Sequence, residues 1–321
     1  PTAQVYRVAV DESFPDRVLG AQQDNSTVSI PHTSNAMNRR DFHPVGGGES
    51  GYITARPDDP NVVFAGSYAG WLTRYDHRTG LSRPISPWPE NPIGGGAGVL
   101  KHRFQWTFPI VISPHDPNVL YVGGECLFKS TTEGATWEVV SPDLTTNDKK
   151  KQASSGGPIT QDNTTVEYHC TIFSVSESPR EKGRIWVGTD DGKVHVTEDG
   201  GGAWHDVTPE GLPDDALVSL HQRVGDELVR PGLELEVLPR SDREADRKRR
   251  EERRDIGPLG HDALDPAGAV GHDLASAHVA VGHGLAQQRA QQMVDVDGIR
   301  DQPGVDEELG RWLGRHAPSP G

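Results

Sequence analysis

The sequence is poor in cysteine, in basic residues and in long apolar runs, and each scarcity excludes a class of protein. Only Cys126 and Cys170 occur among 321 residues, so no disulfide framework replaces a hydrophobic core. Two states of these cysteines remain open: a disulfide bridge between them, or two half-buried thiols. Lys and Arg (32) are outnumbered by Asp and Glu (47), and the net charge of −15 argues against nucleic acid or an anionic membrane surface as the main partner. No apolar run approaches the length of a membrane span.

Glycine and proline are abundant instead. The chain has 37 Gly and 25 Pro, with a hydrophobic fraction of only 33%. This balance favours many short strands joined by turns over a helical bundle with a large core. The sequence starts at Pro1, without a Met or a charged and then apolar leader. We expect either a removed signal peptide or a fragment that begins within a gene.

The composition changes abruptly near residue 220. From His221 to Gly321 there is no Thr, Asn, Tyr, Phe or Cys, and 13 arginines stand against a single lysine, Lys248. We see no alternation typical of strands in this segment. Three interpretations compete: a disordered appendage, a partner-binding segment with short helices at 240–254 and 285–295, and an out-of-frame translation of GC-rich DNA. We favour the third, and we assign no function to 220–321.

Residues 1–219 contain a fourfold repeat, which is the first feature to seek in any sequence. Each copy has a turn with Asp, Pro or Asn, a short apolar strand and a loop of small residues, and the copies lie at 14–25, 59–70, 116–127 and 181–192. Another apolar strand precedes each copy. Leu19, Phe64, Tyr121 and Trp186 align, at steps of 45, 57 and 65 residues. We expect these four positions to be equivalent walls of one ring, on its inner strands.

A hairpin signature follows the last two copies. Residues 197–204 match Ser/Thr-x-Asp-x-Gly-x-x-Trp, and residues 130–137 match it with Thr132 at the Asp position. Asp and Gly suit a tight turn that needs side-chain bonds to the backbone and positive φ, and we expect the Trp to pack into the sheet. Residues 73–80 are a weaker version. The positions to which we assign this structural role are Ser130, Gly134, Trp137, Thr197, Asp199, Gly201 and Trp204.

Four strands per repeat predict an all-β fold, a β-propeller of four-stranded antiparallel blades with about four blades present in an incomplete ring. An irregular or disordered tail follows. A β-sandwich is the alternative, but it predicts no recurring motif in each sheet. The predicted domains are therefore a partial propeller at 1–219 and a tail at 220–321. An incomplete ring would leave exposed sheet edges, which favour aggregation.

The sequence resembles the Asp-box propellers (bacterial neuraminidase repeats), and more narrowly the bacterial sortilin-like propellers often labelled glycosyl hydrolases. The likeness runs from about Val5 to about Ser219. Its stretches are 6–11, 20–26 (Gly-Ala-Gln-Gln-Asp-Asn-Ser), 45–52, 73–77, 103–109 (Arg-Phe-Gln-Trp-Thr-Phe-Pro), 113–121 and 155–160. The resemblance implies further blades and export to an extracellular or periplasmic location. The arginine cluster and the Tyr–Glu pair of Asp-box sialidases do not map onto this sequence.

Loops that enter the innermost strands, and loops that follow the second strands, are expected to share one face of a propeller. We call this face the mouth. The predicted ligand-binding residues there are Gln22, Gln23, Asn25, Tyr68, Arg103, Gln105, Trp106, Tyr168 and His169. Ser67, Glu125, Asn163 and Asp191 are further mouth residues. Aromatic faces among them suit stacking of a sugar ring.

Two carboxylates across a cleft could act as acid and base in glycoside hydrolysis. The catalytic candidates are Asp24, Glu49, Glu167 and Asp190. The alternative, which we favour for each one, is that these acids brace loops by accepting backbone N–H bonds. The 14 histidines lack metal-ligand spacing, and we expect no metal and no cofactor.

Two functions remain open, because propellers host both. One is a binding propeller that holds a protein, peptide or glycan at its mouth, which we favour. The other is a glycoside hydrolase that acts on a polysaccharide.

Overall fold

The computed structural model describes residues 4–32, 43–157, 159–212 and 216–222, together with the backbone of two later strands, 233–238 and 293–295. The fold is all-β, with four antiparallel blades in a propeller arrangement, as the sequence predicts. Within the described ranges, the loops contain three short 3-10 helices, Tyr68–Gly70, Ala97–Val99 and Lys149–Gln152. Among the described residues, no helix has the length and apolar character that a bilayer crossing requires.

Each repeat forms one sheet whose strands pair in chain order. Blade one has β1 (Val5–Val10), β2 (Arg17–Gln22) and β3 (Thr27–Pro31), and blade two has β4 (Ile53–Ala55), β5 (Val62–Gly66), β6 (Leu72–Asp76) and β7 (Leu81–Pro84). Blade three has β8 (Ile110–Ser113), β9 (Asp116–Gly123), β10 (Leu127–Ser130) and β11 (Glu138–Val139). Blade four has β12 (Ile172–Glu177), β13 (Ile185–Thr189), β14 (Val194–Thr197) and β15 (His205–Asp206).

A further sheet begins where the repeat ends. It contains β16 (Leu217–Gln222), β17 (Leu233–Leu238) and β18 (Met293–Asp295), paired antiparallel in that order. The expectation that no strand occurs beyond residue 220 is therefore wrong for these segments. The reason is visible in Leu-Glu-Leu-Glu-Val-Leu at 233–238, where apolar and acidic residues alternate as in a strand. The rest of the tail prediction lies outside the described residues.

The first strand of each sheet is the innermost one. Strands β1, β4, β8, β12 and β16 are in contact one after the other, so they line the axis. Leu19, Phe64, Tyr121 and Trp186 are on β2, β5, β9 and β13. The predicted equivalence is confirmed, but the four residues lie on the second strand and not on the inner strand that we expected. Each inner strand contains Ile or Val but no aromatic residue at a shared position. The large residues that align in the sequence therefore belong to the neighbouring second strand.

These four side chains bind each sheet to the next one. Leu19 packs with Ile53 of blade two, and Phe64 packs with Leu120 of blade three. Tyr121 belongs to the apolar cluster at the interface of blades three and four, and Trp186 packs against the cluster of Val194, Val218 and Leu220. Because every interface is filled from the preceding blade, an apolar residue is needed at the same place in each repeat. This need is the physical origin of the sequence period.

Candidate functional site

Two sets of loops meet at the mouth of the propeller. The loops that enter β4, β8 and β12 lie against the turns that follow β2, β5, β9 and β13. Gly48 N donates to Gly66 O of its own blade at 3.0 Å, and Ile172 N, at the start of β12, donates to Gly124 O of the preceding blade at 2.7 Å. The segments that lead into the inner strands therefore bond to turns of their own blade and of the preceding blade. The mouth predicted from the repeat is therefore a continuous surface in which residues far apart in sequence are neighbours.

Blade one contributes a polar cluster. The Tyr6 hydroxyl donates to Gln23 Oε1 at 2.9 Å, and Asp24 N donates to Glu49 Oε2 at 2.7 Å. Burial raises the pKa of the Tyr6 phenol, an effect that Glu49 and Asp24 reinforce and that the Trp106 indole opposes. Asn25 Nδ2 donates to Gln23 O at 3.3 Å. Tyr6, on an inner strand, was missed by the sequence analysis.

An aromatic platform adjoins this cluster. Tyr68 follows β5, and Trp106 lies in the loop that enters β8. Their rings stack with centroids 5.3 Å apart and an interplanar angle of 13°, and Tyr68 also contacts Trp71 at 5.1 Å. Tyr68 and Trp106 are both half-buried. The neighbouring Gln105 turns its Oε1 to Thr107 N at 2.6 Å, so it shapes the loop that presents Trp106.

Several predicted ligand-binding residues are buried in the loops instead. Arg103 is 6% exposed, with Nη2 2.7 Å from Asp143 Oδ2 and Nε 3.2 Å from Cys170 O. Tyr168 is buried, and its hydroxyl donates to Gly95 O at 2.7 Å. His169 is also buried, and Gln22 is a half-buried member of β2. A loop position in the sequence does not show whether its side chain is buried, and the ligand-binding roles of these residues stay predictions.

Three of the four candidate catalytic carboxylates accept backbone N–H bonds. Glu49 accepts from Asp24, Glu167 accepts from Thr164 at 2.8 Å, and the fully buried Asp190 accepts from Thr171 at 2.8 Å. The fourth, Asp24, is exposed at a positive φ of 57°. These contacts are those of bracing acids. The catalytic roles stay predictions.

Inside the channel, one cation lies between two aromatic rings. The guanidinium carbon of Arg7, on β1, is 4.6 Å from the centroid of Tyr52 and 5.8 Å from that of Phe173, on β12. Burial raises the pKa of Tyr52, and Arg7 opposes that rise. Arg7 thus connects the inner strands of blades one and four across the axis. Sequence reasoning missed this contact because 166 positions separate Arg7 and Phe173.

The two cysteines are free and buried, so the thiol alternative is correct. Burial raises the pKa of both Cys126 and Cys170. Each thiol lies in a group of potential metal ligands, contrary to what histidine spacing in the sequence indicates. The two groups are His102 with Glu125 and Cys126, and His169 with Cys170 and Asp191. Spacing gave no signal because each histidine comes from an entering loop and the carboxylate from a turn of the same blade.

The opposite face carries the hairpins between the third and fourth strands. Thr197 Oγ1 accepts from Gly201 N at 3.1 Å, and Asp199 Oδ1 accepts from Ala203 N at 3.0 Å. Trp204 Nε1 donates to Val140 O of the preceding blade at 2.9 Å.

The hairpin of blade three repeats this arrangement. Ser130 Oγ accepts from Gly134 N at 2.9 Å, and Trp137 Nε1 donates to Ile85 O of the preceding blade at 2.8 Å. Gly134 and Gly201 have positive φ, 78° and 113°. These side chains thus organise the turns and connect neighbouring blades.

Comparison with known proteins gives remote similarities. No family model matches the chain. An oligoxyloglucan-reducing end-specific xyloglucanase of Emericella nidulans is 23% identical over 203 residues, which cover 59% of this chain and 21% of that protein. The chain therefore spans about a fifth of the length of the curated relative that it matches.

The solved structures that match this chain include two GH74 enzymes. The GH74 xyloglucanase from Xanthomonas campestris is 18% identical with a TM-score of 0.49, over 74% of this chain and 34% of that one. The GH74 enzyme of Niastella koreensis is 12% identical with a TM-score of 0.45, over 74% and 33%.

Proposed function

We propose that this chain is part of an exported, sortilin-like Asp-box propeller that binds a glycan at its mouth. The observation that carries the proposal is the stacked pair of Tyr68 and Trp106 next to the polar cluster of Tyr6, Gln23 and Glu49. Sugar rings have apolar C–H faces and polar edges. Half-buried aromatic rings beside a few fixed polar groups suit both parts of such a ligand.

The similarity to a xyloglucanase of Emericella nidulans supports this ligand class. We therefore choose xyloglucan oligosaccharides as the first probe. A protein or peptide ligand, which the resemblance to sortilin-like propellers also implies, is the competing outcome of the same experiment.

Binding is measured by calorimetry with the 321-residue chain. We expect Tyr68→Ala and Trp106→Ala each to weaken oligosaccharide binding about tenfold, because losing one stacking face removes roughly 1.4 kcal/mol. Phe14→Ala is the matched control. Phe14 is a fully exposed aromatic residue in the turn between β1 and β2, at the other end of the blade, and its loss should leave the affinity unchanged.

Two results would contradict the proposal. One is oligosaccharide binding that survives in both mouth variants. The other is a wild-type chain that binds an extended peptide and none of the glycans offered.

A glycoside hydrolase is the second candidate function. Asp24 and Glu49 favour it, since they lie side by side at the mouth and the matched relative is itself named a xyloglucanase. Hydrolysis needs two carboxyl groups about 5 Å apart, or about 6.5–9.5 Å apart, on either side of the bond that is cleaved. Release of reducing ends by the wild type, abolished in Asp24→Asn and Glu49→Gln, is the expected result. Binding without any release leaves the non-catalytic proposal in place.

A further inference from the structure

We propose that blade three binds a zinc ion through His102, Glu125 and Cys126. The three residues come from two segments of the mouth: His102 from the loop that enters β8, and Glu125 with Cys126 from the turn between β9 and β10. The argument for zinc uses none of the residues that carry the proposed glycan site, although His102 and Trp106 belong to the same loop.

The potential ligand atoms already form a compact triangle. His102 Nδ1 is 2.7 Å from Glu125 Oε1, Cys126 Sγ is 3.5 Å from the same oxygen, and Sγ is 3.9 Å from Nδ1. Zinc bonds of about 2.0–2.3 Å in tetrahedral geometry put ligand atoms roughly 3.3–3.7 Å apart. Two separations are close to this range. The third opens by less than about 1 Å once zinc replaces the hydrogen shared by His102 and Glu125.

Neighbouring groups hold the ligands in these orientations. Glu125 Oε2 accepts from Arg103 N at 2.7 Å, which leaves Oε1 directed at His102 and Cys126. The imidazole of His102 is fixed edge-on against Phe128, at 5.0 Å between centroids, and against Trp88, at 5.5 Å. Fixed outer contacts of this kind raise metal affinity, because the ligands lose little freedom on binding.

The charges also balance. The Arg103 guanidinium is paired with Asp143 at 2.7 Å. Arg103 therefore does not fully neutralise the charge of the Glu125 carboxylate. When zinc binds, the Zn–S bond forms and the thiol proton leaves to solvent, while the hydrogen between His102 Nδ1 and Glu125 moves to His102 Nε2, so that the imidazole stays neutral and no group is oxidised or reduced. Two anionic ligands then neutralise the dication. Three protein ligands leave the fourth tetrahedral position to a water molecule.

The second group of potential ligands supplies an internal control. In the group of His169, Cys170 and Asp191, the carboxylate is already engaged: Asp191 Oδ2 accepts from Thr146 N and Oγ1 at 2.8 Å each, and Oδ1 accepts from Thr189 Oγ1 at 2.5 Å. Binding a metal there would break several bonds of the loop. We therefore assign the ion to blade three and not to blade four.

Titration of the full chain with Co²⁺, a spectroscopic substitute for zinc, tests the proposal. A thiolate ligand gives an intense sulfur-to-cobalt absorption in the near ultraviolet. Since the chain has only Cys126 and Cys170, a band that persists in Cys170→Ser must come from Cys126, even if a Cys126 variant fails to fold. Competition with Zn²⁺ should abolish the band. His102→Gln should lower zinc affinity at least about tenfold, and His169→Gln should not change it.

The absence of the band in the wild type would overturn the proposal. Its disappearance in Cys170→Ser, with circular dichroism unchanged, would overturn it as well, because the thiolate would then belong to blade four. Histidines elsewhere in the chain do not confuse the result, since imidazole gives no such sulfur band.

Discussion

The side-chain contacts on the two faces of the propeller follow different patterns. On the hairpin face, blades three and four use the same contacts: a Ser or Thr accepts from the turn backbone, and a Trp donates to a carbonyl of the preceding blade. At the mouth, the first three blades differ from one another, with a Tyr–Gln bond in blade one, a stacked ring in blade two and a His–Glu pair in blade three.

This difference indicates where function lies. A contact that recurs in successive blades serves assembly, because every blade must dock on its neighbour in the same way. Contacts that differ from blade to blade are not required for this docking, so their residues can change without loss of assembly. The varied face is therefore the one suited to a particular ligand, and the comparison predicts that substitutions on the two faces have separable effects.

The largest effect is expected for Trp204→Ala on the hairpin face. It removes a half-buried indole and its bond to Val140 O, and should lower the free energy of unfolding by about 3 kcal/mol. Trp204→Phe keeps most of the packing and should cost about 1 kcal/mol. Urea denaturation measures both. If folded Trp204→Ala loses oligosaccharide binding, the two faces do not have separable roles.

A medium effect is expected within the mouth itself, for Asp190→Ala. Asp190 is fully buried and accepts from Thr171 N and Oγ1, so its loss leaves buried donors unpaired and should cost about 2 kcal/mol. Glu49→Ala is the matched variant. Glu49 is only half-buried and accepts from an exposed turn, so its loss should cost less than about 1 kcal/mol. Equal losses would show that the mouth is not divided into a buried frame and an accessible rim.

The smallest effect is expected in the hairpin of blade two, where the contribution to stability comes from charged side chains. The hydrogen bonds from Arg78 lower the pKa of Asp76 to about 2, from 3.8. A lowered pKa adds stability that is fully present above about pH 4 and is lost as the pH falls towards 2. Asp76→Asn should therefore destabilise the chain by less than about 1 kcal/mol at pH 7, and wild type and variant should converge near pH 2.

Thr132→Val is the control for this pH dependence. Thr132 occupies the place of the acid in the hairpin of blade three and accepts from Thr136 N at 2.9 Å without a charge. Its destabilisation should be the same at pH 7 and pH 3. If the difference in unfolding free energy between wild type and Asp76→Asn stays constant from pH 7 to pH 3, the electrostatic explanation is refuted.

Much of the fold could be predicted because it repeats. Leu19, Phe64, Tyr121 and Trp186 identified the blades, and the Thr197 and Ser130 hairpins marked the outer strands. The tail was less predictable: its overall composition obscured the alternation at 233–238, which forms β17. Within the site, Tyr68 and Trp106 were both named from the sequence, and their rings are in stacking contact. Which of the mouth residues are buried was not predicted, and Arg103, Tyr168 and Asp190 proved to be parts of the loop framework.

The sequence by itself determined the strand period, the pairing order and the face on which the variable loops meet, because these follow from alternating polarity and from turn residues that act over a few positions. Only the tertiary structure decided which side chains share a site. The His102–Glu125–Cys126 triangle, the Tyr68–Trp106 stack and the Arg7 contact with Phe173 join segments from separate loops or blades. Their distances depend on how the blades and loops pack, and packing is not encoded in any local pattern.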